Sequence, residues 1–450
     1  MSPSDRAPGP TISGLDVQRA KRYSRIKLTL HLSQSAAATA QLAWFALSGR
    51  SAALRSALDA RLPSRHLTTP GYLAVTSVAA WALSLPLSAV RDLVVERRFG
   101  LTYQTASGWA GDQLKGLAVA LVIGVPMGTA AYGVIRRRPR DWWLVIASAT
   151  VPVSVALSHL APLLILPLFN RFERLTDAAL TERIERLAAR AGFDIAAVYR
   201  MDMSRQTEKP NAFFTGLGRT KRIVLGDTLS ERFPPEEVEA VVAHELGHQA
   251  YGDVWRFIAM GSATGYGVAL AAHRLAPELM RRTAPRTGVG SVADVAGAPL
   301  LGLVLLVAAA VVNPLLAAVS RSIERRTDRY AIDLTGDPRT YATALTRLAA
   351  ASLIDPTPPR LVVLFASHPP IAERIAAAER LAASSRPKLA RPDHRERPGC
   401  QPAGTSCTGS SAGFWALTEM IWAVSRSQTA TPPLPSAKRR TRPRGDQMGA

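Results

Sequence analysis

The chain has 450 residues, 47% of them hydrophobic, with a formal charge of +21 and a pI near 10.9. Leu, Ala and Val concentrate in long uncharged runs, which points to a membrane protein of two or more domains rather than a soluble globule. The basic excess reads as arginines flanking spans and a basic tail facing anionic lipid, with no nucleic-acid partner; the only cysteines, Cys400 and Cys407, exclude a disulfide framework or a thiolate metal site in the body.

Residues 1–27 are polar and basic, with Arg19, Lys21, Arg22, Arg25 and Lys27 just ahead of an apolar run. That run starts near Leu28 and lacks a processing site, so no cleavable signal peptide is expected. Residues 28–49 form a first span candidate, interrupted by His31, Gln34 and Gln41. Residues 71–90, 116–135 and 142–169 follow, each about 20 residues or longer without a charge, enough for a helix to cross about 30 Å of hydrocarbon. Pro86, Pro126, Pro152, Pro162 and Pro167 fall within these runs, where membrane helices tolerate kinks.

Composition changes at Asn170. Residues 176–191 place Leu, Ile and Ala at helical spacing among acids and arginines, and Gly192 follows as a stop. Ile195 to Met201 reads as a strand. Asn211 to Gly216 and Arg222 to Leu225 read as a strand pair joined by a basic turn. Pro234-Pro235-Glu236-Glu237 then marks a helix start, with proline in the first turn and acids at the positive end of the dipole.

That helix carries Val241-Val-Ala-His244-Glu245-Leu-Gly-His248. The two histidines stand four apart, one turn up the same face, able to grip one metal ion. Glu245 beside them is placed to take a proton from an activated water. This is the His-Glu-x-x-His pattern of zinc proteases. Val238, Val241 and Val242 offer an apolar face for burial, and Gly247 leaves room for close packing.

Residues 257–272 and 295–320 are again uncharged and read as a hairpin of two spans. Residues 321–383 form a second soluble, helical segment, and 384–450 a disordered tail rich in Pro, Ser and Arg, with a short apolar island at Phe414–Val424. The domain plan is therefore a basic segment (1–27), four spans (28–169), a first protease segment (170–256), a hairpin (257–320), a second protease segment (321–383) and the tail.

A catalytic zinc site needs three protein ligands and an open position. No third histidine stands beside the motif, so a carboxylate is expected. Glu324 and Asp328, four apart in Ser320-Arg-Ser-Ile-Glu-Arg-Arg-Thr-Asp, are the candidates: Glu324 to coordinate, Asp328 to orient a ligand histidine. On composition alone an ordinary solvated charged helix explains the same pattern, and more often.

Taken in order, the motifs resemble the type I CaaX prenyl protease family of integral-membrane zinc metalloproteases. The zinc helix and the Ser320–Asp328 string carry the resemblance. So do Val95-Glu96-Arg97-Arg98-Phe99-Gly100-Leu101 with Gln104-Thr105, Asn211–Gly216 with Arg222–Leu229, and Ser367-His368-Pro369-Pro370 with Glu373-Arg374-Ile375. It covers roughly residues 70–380.

The resemblance implies a mainly α membrane protein: a barrel of helices, about six here, around a chamber, with a small α+β zincin-type metalloprotease domain on its cytoplasmic side. It implies one Zn²⁺ per chain, held by His244, His248 and Glu324, with Glu245 as general base. His368 is implied as a donor to the oxyanion, with Arg374 ordering that region. Asn211 and Ala212 would present an edge backbone to an extended peptide, and otherwise are plain sheet. Glu96 reads as a loop charge, at the chamber entrance or simply solvated.

The expected protein is thus a multi-pass zinc metalloendopeptidase of the inner (plasma) membrane, with the bilayer and a peptide or membrane protein as partners. The family implies cleavage near a prenylated C-terminus. Clearance of damaged membrane proteins, as in a related heat-shock branch, is the alternative, and a non-catalytic scaffold or transporter a third. Arginines in loops 50–70, 136–141 and 273–294 conflict with a cytoplasmic zinc domain under the positive-inside rule, so orientation rests on the resemblance.

Overall fold

The computed structural model describes residues 14–215 and 221–384. Helix α1 (Val17–Leu47) starts where Asp16 accepts a hydrogen bond from the Arg19 amide (2.9 Å). Helicity therefore begins inside the stretch expected to be a basic lead-in. Gly49, with φ +76°, turns the chain into α2 (Arg50–Arg61). Next, α3 (Thr68–Ala89) passes through a π-helical turn at Val90–Val94 into α4 (Val95–Arg98).

Helix α5 (Ala106–Arg137) is capped by Thr105, whose Oγ1 accepts from the Gly108 amide (3.0 Å). Helix α6 (Trp142–Leu160) runs through a second π-helical turn at Ala161–Ile165 into α7 (Leu166–Phe169).

A four-stranded sheet follows. Strand β1 (Phe172–Arg174) precedes α8 (Ala178–Arg190), then come β2 (Ala197–Met201), β3 (Ala212–Thr215) and β4 (Arg222–Gly226). The order is β1-β2-β4-β3; β2 and β4 are parallel, the outer pairs antiparallel. The expected strand pair is present, and β3 is an edge. The basic turn between β3 and β4 lies outside the described residues.

The remainder is helical: α9 (Asp227–Ser230), α10 (Pro235–Ala250), α11 (Asp253–Thr287), α12 (Ala298–Thr335), α13 (Pro338–Ser352), α14 (Arg360–Phe365) and α15 (Ile371–Ser384). The main core packs α8, α10, α13 and α15 with the sheet through Ile184, Leu187, Ile223, Leu225, Val238, Leu246, Leu345 and Ile375. Each such burial contributes about 1.5–3 kcal/mol.

Among the described residues, four stretches are long and apolar enough to cross a bilayer: Arg65–Arg98, Ala106–Arg137, Trp142–Phe169 and Val295–Thr335. They contain the expected spans 71–90, 116–135, 142–169 and 295–320. Of the other two expected spans, 28–49 falls in α1 up to Leu47 and 257–272 lies within α11. These helices are as long and pack against α12, but polar residues dilute the first and the second's uncharged run is bounded by Arg256 and His273-Arg274.

Two expected segment changes do not coincide with helix ends. The changes at 256/257 and 320/321 fall inside α11 and α12, each continuous through the change. A helix satisfies its own backbone hydrogen bonds, so it leaves the apolar layer without breaking. Residues 1–13 and 385–450, including the island at Phe414–Val424, lie outside the described residues.

Candidate metal centre

Helix α10 is fixed before its histidines arrive. Val238, Val242 and Leu246 are fully buried, and the first-turn carboxylate of Glu237 pairs with Arg347 of α13 (2.6 Å). Gly247 lets α12 come close: a Cβ there would sit 2.8 Å from Thr327 Cγ2 and 3.0 Å from Tyr330 Cδ1. That close approach brings Glu324 to the histidines.

The rings of His244 and His248 lie 4.9 Å apart, nearly perpendicular. His244 Nε2 is 3.4 Å from Glu324 Oε2, and His248 Nε2 is 3.5 Å from Glu324 Oε1. One ligand atom from each residue falls within 4.8 Å of the others. Glu324 is 1% exposed, and its Oε2 has no hydrogen-bond partner. A buried carboxylate oxygen without a donor is costly unless a cation occupies the space before it. Neighbouring donors around a tetrahedral zinc at bond lengths near 2.0–2.1 Å are about 3.4 Å apart, so the two nitrogen–carboxylate separations fit such an ion.

Each histidine has its other nitrogen engaged. His244 Nδ1 is 3.1 Å from Asp328 Oδ1, and Asp328 also accepts from Tyr341 Oη (2.6 Å) and from both Arg374 Nε (2.9 Å) and Nη2 (2.6 Å). His248 Nδ1 is 3.0 Å from Asp253 Oδ2; Arg256 Nη1 (3.0 Å) and Arg326 Nη2 donate to the other oxygen of Asp253. These contacts set both Nε2 atoms toward Glu324. Burial disfavours a charged ring, yet the surrounding carboxylates outweigh it: Asp328 and Glu324 raise His244, and Asp253 and Glu324 push His248 up to about 10. Burial, then the Asp328 carboxylate, holds the Tyr341 phenol well above its ordinary range, so it stays a donor.

The sequence-derived candidates converge to different degrees. Glu245, between the two histidines, is partly exposed and so open to a ligand. His368 Nε2 lies 3.5 Å from Glu324 Oε1, at the edge of the cluster, while its Nδ1 is 2.9 Å from Ser367 Oγ. Arg321 Nη1 donates to the carbonyls of Val363 and Ala366 (2.8 Å each), fixing the approach to that loop. Asp328 and Arg374 stand behind His244, on its Nδ1 side, where Arg374 pairs with Asp328. Ala212 is buried and Asn211 exposed at the start of edge strand β3, which packs against α10.

Sequence reasoning missed Asp253, Arg326 and Tyr341. Asp253 stands five residues after His248, just past a turn at Gly252 with φ +60°, where an acid reads as an ordinary helix-start residue. Tyr341 gives no local signal; only the packing of α13 brings it to Asp328.

Residues 8–171 match a family described as CAAX prenyl protease N-terminal, five membrane helices, and residues 174–382 match Peptidase family M48. The chain is 33% identical over 371 residues to a Bacillus subtilis (strain 168) protein named as an uncharacterized metalloprotease, YhfN, covering 80% of this chain and 85% of that one. It is 36% identical over 200 residues to the CAAX prenyl protease 1 of Saccharomyces cerevisiae, covering 43% and 44%. The crystal structure of S. mikatae Ste24p superposes with a TM-score of 0.73 at 25% identity, covering 84% of this chain and 92% of that one.

Proposed function

The chain belongs to peptidase family M48, among the CAAX prenyl proteases, as a multi-pass membrane metalloendopeptidase, and on that premise we propose how its residues do the work. His244, His248 and Glu324 hold one Zn²⁺. A donor set of two imidazoles and a carboxylate suits zinc. Bound there, zinc supplies Lewis acidity that polarises a peptide carbonyl and lowers the pKa of water to about 7.

Glu245 takes the proton of the attacking water and passes it to the leaving amine. His368 donates to the oxygen that becomes negative as the carbonyl is attacked. Asp328 holds His244 in its ligating tautomer, and Arg374 holds Asp328. An extended peptide pairs with the free edge of β3 at Asn211 and Ala212. Segments 170–256 and 321–383 act as one catalytic unit at the end of the helical bundle, facing the cytoplasm from the inner membrane.

The observation that carries this reading is the meeting of three ligand atoms, from helices far apart in sequence, within 4.8 Å. For substrate we propose a prenylated C-terminus; similarity to proteins named CAAX prenyl protease 1 supports it.

Two measurements test the scheme. The purified protein is offered a farnesylated Caa-X peptide and its unprenylated twin; selective cleavage of the first is expected. Equal cleavage of both would remove the prenyl requirement and favour a quality-control role. Glu245→Gln is expected to keep zinc, by elemental analysis, while hydrolysis falls roughly 10²–10⁴-fold. Full activity in that variant would end the role given to Glu245.

A further inference from the structure

Glu96 is not a loop charge. It lies in α4, where the helical stretch Arg65–Arg98 ends, and its side chain is fully buried. Three groups from distant parts of the chain converge on it. Tyr23 Oη donates to Oε1 (2.5 Å), Lys27 Nζ donates to the same oxygen (2.6 Å), and Lys209 Nζ lies 3.0 Å from Oε2. Lys209 Nζ also donates to Tyr23 Oη (2.9 Å) and sits 5.3 Å from the centre of that ring. One carboxylate thus joins α1, α4 and the segment that leads into β3.

That segment is tied down along its length. The Glu208 amide donates to Leu101 O (3.2 Å), Thr102 Oγ1 to Gln206 O (3.1 Å), and Gln206 Nε2 to the buried Asp112 of α5 (3.0 Å). The Lys209 carbonyl accepts from Thr228 Oγ1 (3.1 Å). Only Pro210 and Asn211 separate Lys209 from the first residue of β3. An edge strand has neighbours on one side only, so its height and register depend on what fixes its ends.

We propose that Glu96, through Lys209, is a positioning device that anchors the edge strand β3 to the membrane helices and sets where an extended peptide lies relative to the metal. This rests on the reading of β3 as the peptide-pairing strand. The logic is electrostatic: a buried carboxylate has few alternatives to its ion partners, so Lys209 is held to a point on the helical bundle and the strand is held with it. Neither residue touches the reacting atoms.

The test uses full-length, zinc-loaded protein in nanodiscs. Lys209→Met leaves Glu96 with Tyr23 and Lys27, so the fold is kept while the tether is cut. KM for an extended peptide should rise roughly tenfold with kcat and zinc content nearly unchanged, the signature of lost binding rather than lost chemistry. Inhibition by 1,10-phenanthroline, which meets only the metal, should not change, and Lys209→Arg should restore most of the KM.

In a double-mutant cycle, the effects of Glu96→Gln and Lys209→Met on KM should be less than additive, because the two changes share the Glu96–Lys209 link. Hydrogen exchange of the amides in 206–215 should accelerate in Lys209→Met whether or not a substrate is known. If exchange and KM are both unchanged, or if kcat and zinc fall while KM stays, the anchor is wrong. If exchange accelerates but the wild type cleaves no peptide, the anchor stands and the peptidase reading falls.

Discussion

His244 and His248 are each backed by an aspartate that arginine grips, yet the two supports stand in different surroundings. Behind His244, Asp328 meets Arg374 in a two-pronged pair whose side chains are 11% and 12% exposed, and Tyr341 closes the group. Behind His248, the Asp253 side chain is only 1% exposed, but its arginines reach outward, with side-chain exposures of 32% for Arg326 and 49% for Arg256. The first support draws on α12, α13 and α15. The second sits at the corner between α10 and α11, with Arg326 from α12. The same chemistry in a dry and in a wetter setting teaches how much of a histidine's placement comes from burial of the pair behind it.

The change that ignores the difference has the largest effect. Glu324 serves both histidines, so Glu324→Gln should abolish zinc retention and hydrolysis together; elemental analysis showing one zinc per chain in that variant would contradict the ligand assignment. Next comes Asp328→Asn. It leaves the Arg374 guanidinium buried without its counter-charge, a cost of about 3 kcal/mol. Zinc affinity should fall toward the upper end of a loss of about 10–100-fold, read by competition with a fluorescent chelator.

Asp253→Asn should cost less on both counts, because Arg326 and Arg256 can turn to water, and its affinity loss should lie near about tenfold. Equal losses in the two asparagine variants would show that burial of the arginine does not decide the strength of the support.

The smallest effect is a graded one with pH. In metal-free protein the neighbouring carboxylates push His248 up to about 10 and also raise His244, so protons compete with the metal for both rings. Zinc affinity should therefore rise steadily as pH is raised from 6 towards 9, with proton release on binding. A flat profile over that range would mean the carboxylates do not hold these protons. Asp253→Asn should flatten the profile by weakening the hold on His248.

Much of this molecule could be read locally. The long uncharged runs identify membrane-crossing stretches because hydrocarbon thickness fixes the length needed. The four-residue spacing of His244 and His248 places both on one helix face because backbone geometry repeats within a turn. The helix start at Pro234-Pro235-Glu236-Glu237 and the strand pair around 211–226 follow from equally short-range rules.

Beyond the family resemblance, only tertiary structure separated Glu324 from an ordinary solvated helix, since its place depends on how α12 crosses α10 at Gly247. It alone brought Asp253 and Tyr341 to the backs of the histidines, and buried Glu96 among Tyr23, Lys27 and Lys209. The physical reason is one of range. Propensity and periodicity act over a few residues, whereas a buried charge is defined by partners that only the packing of distant helices supplies.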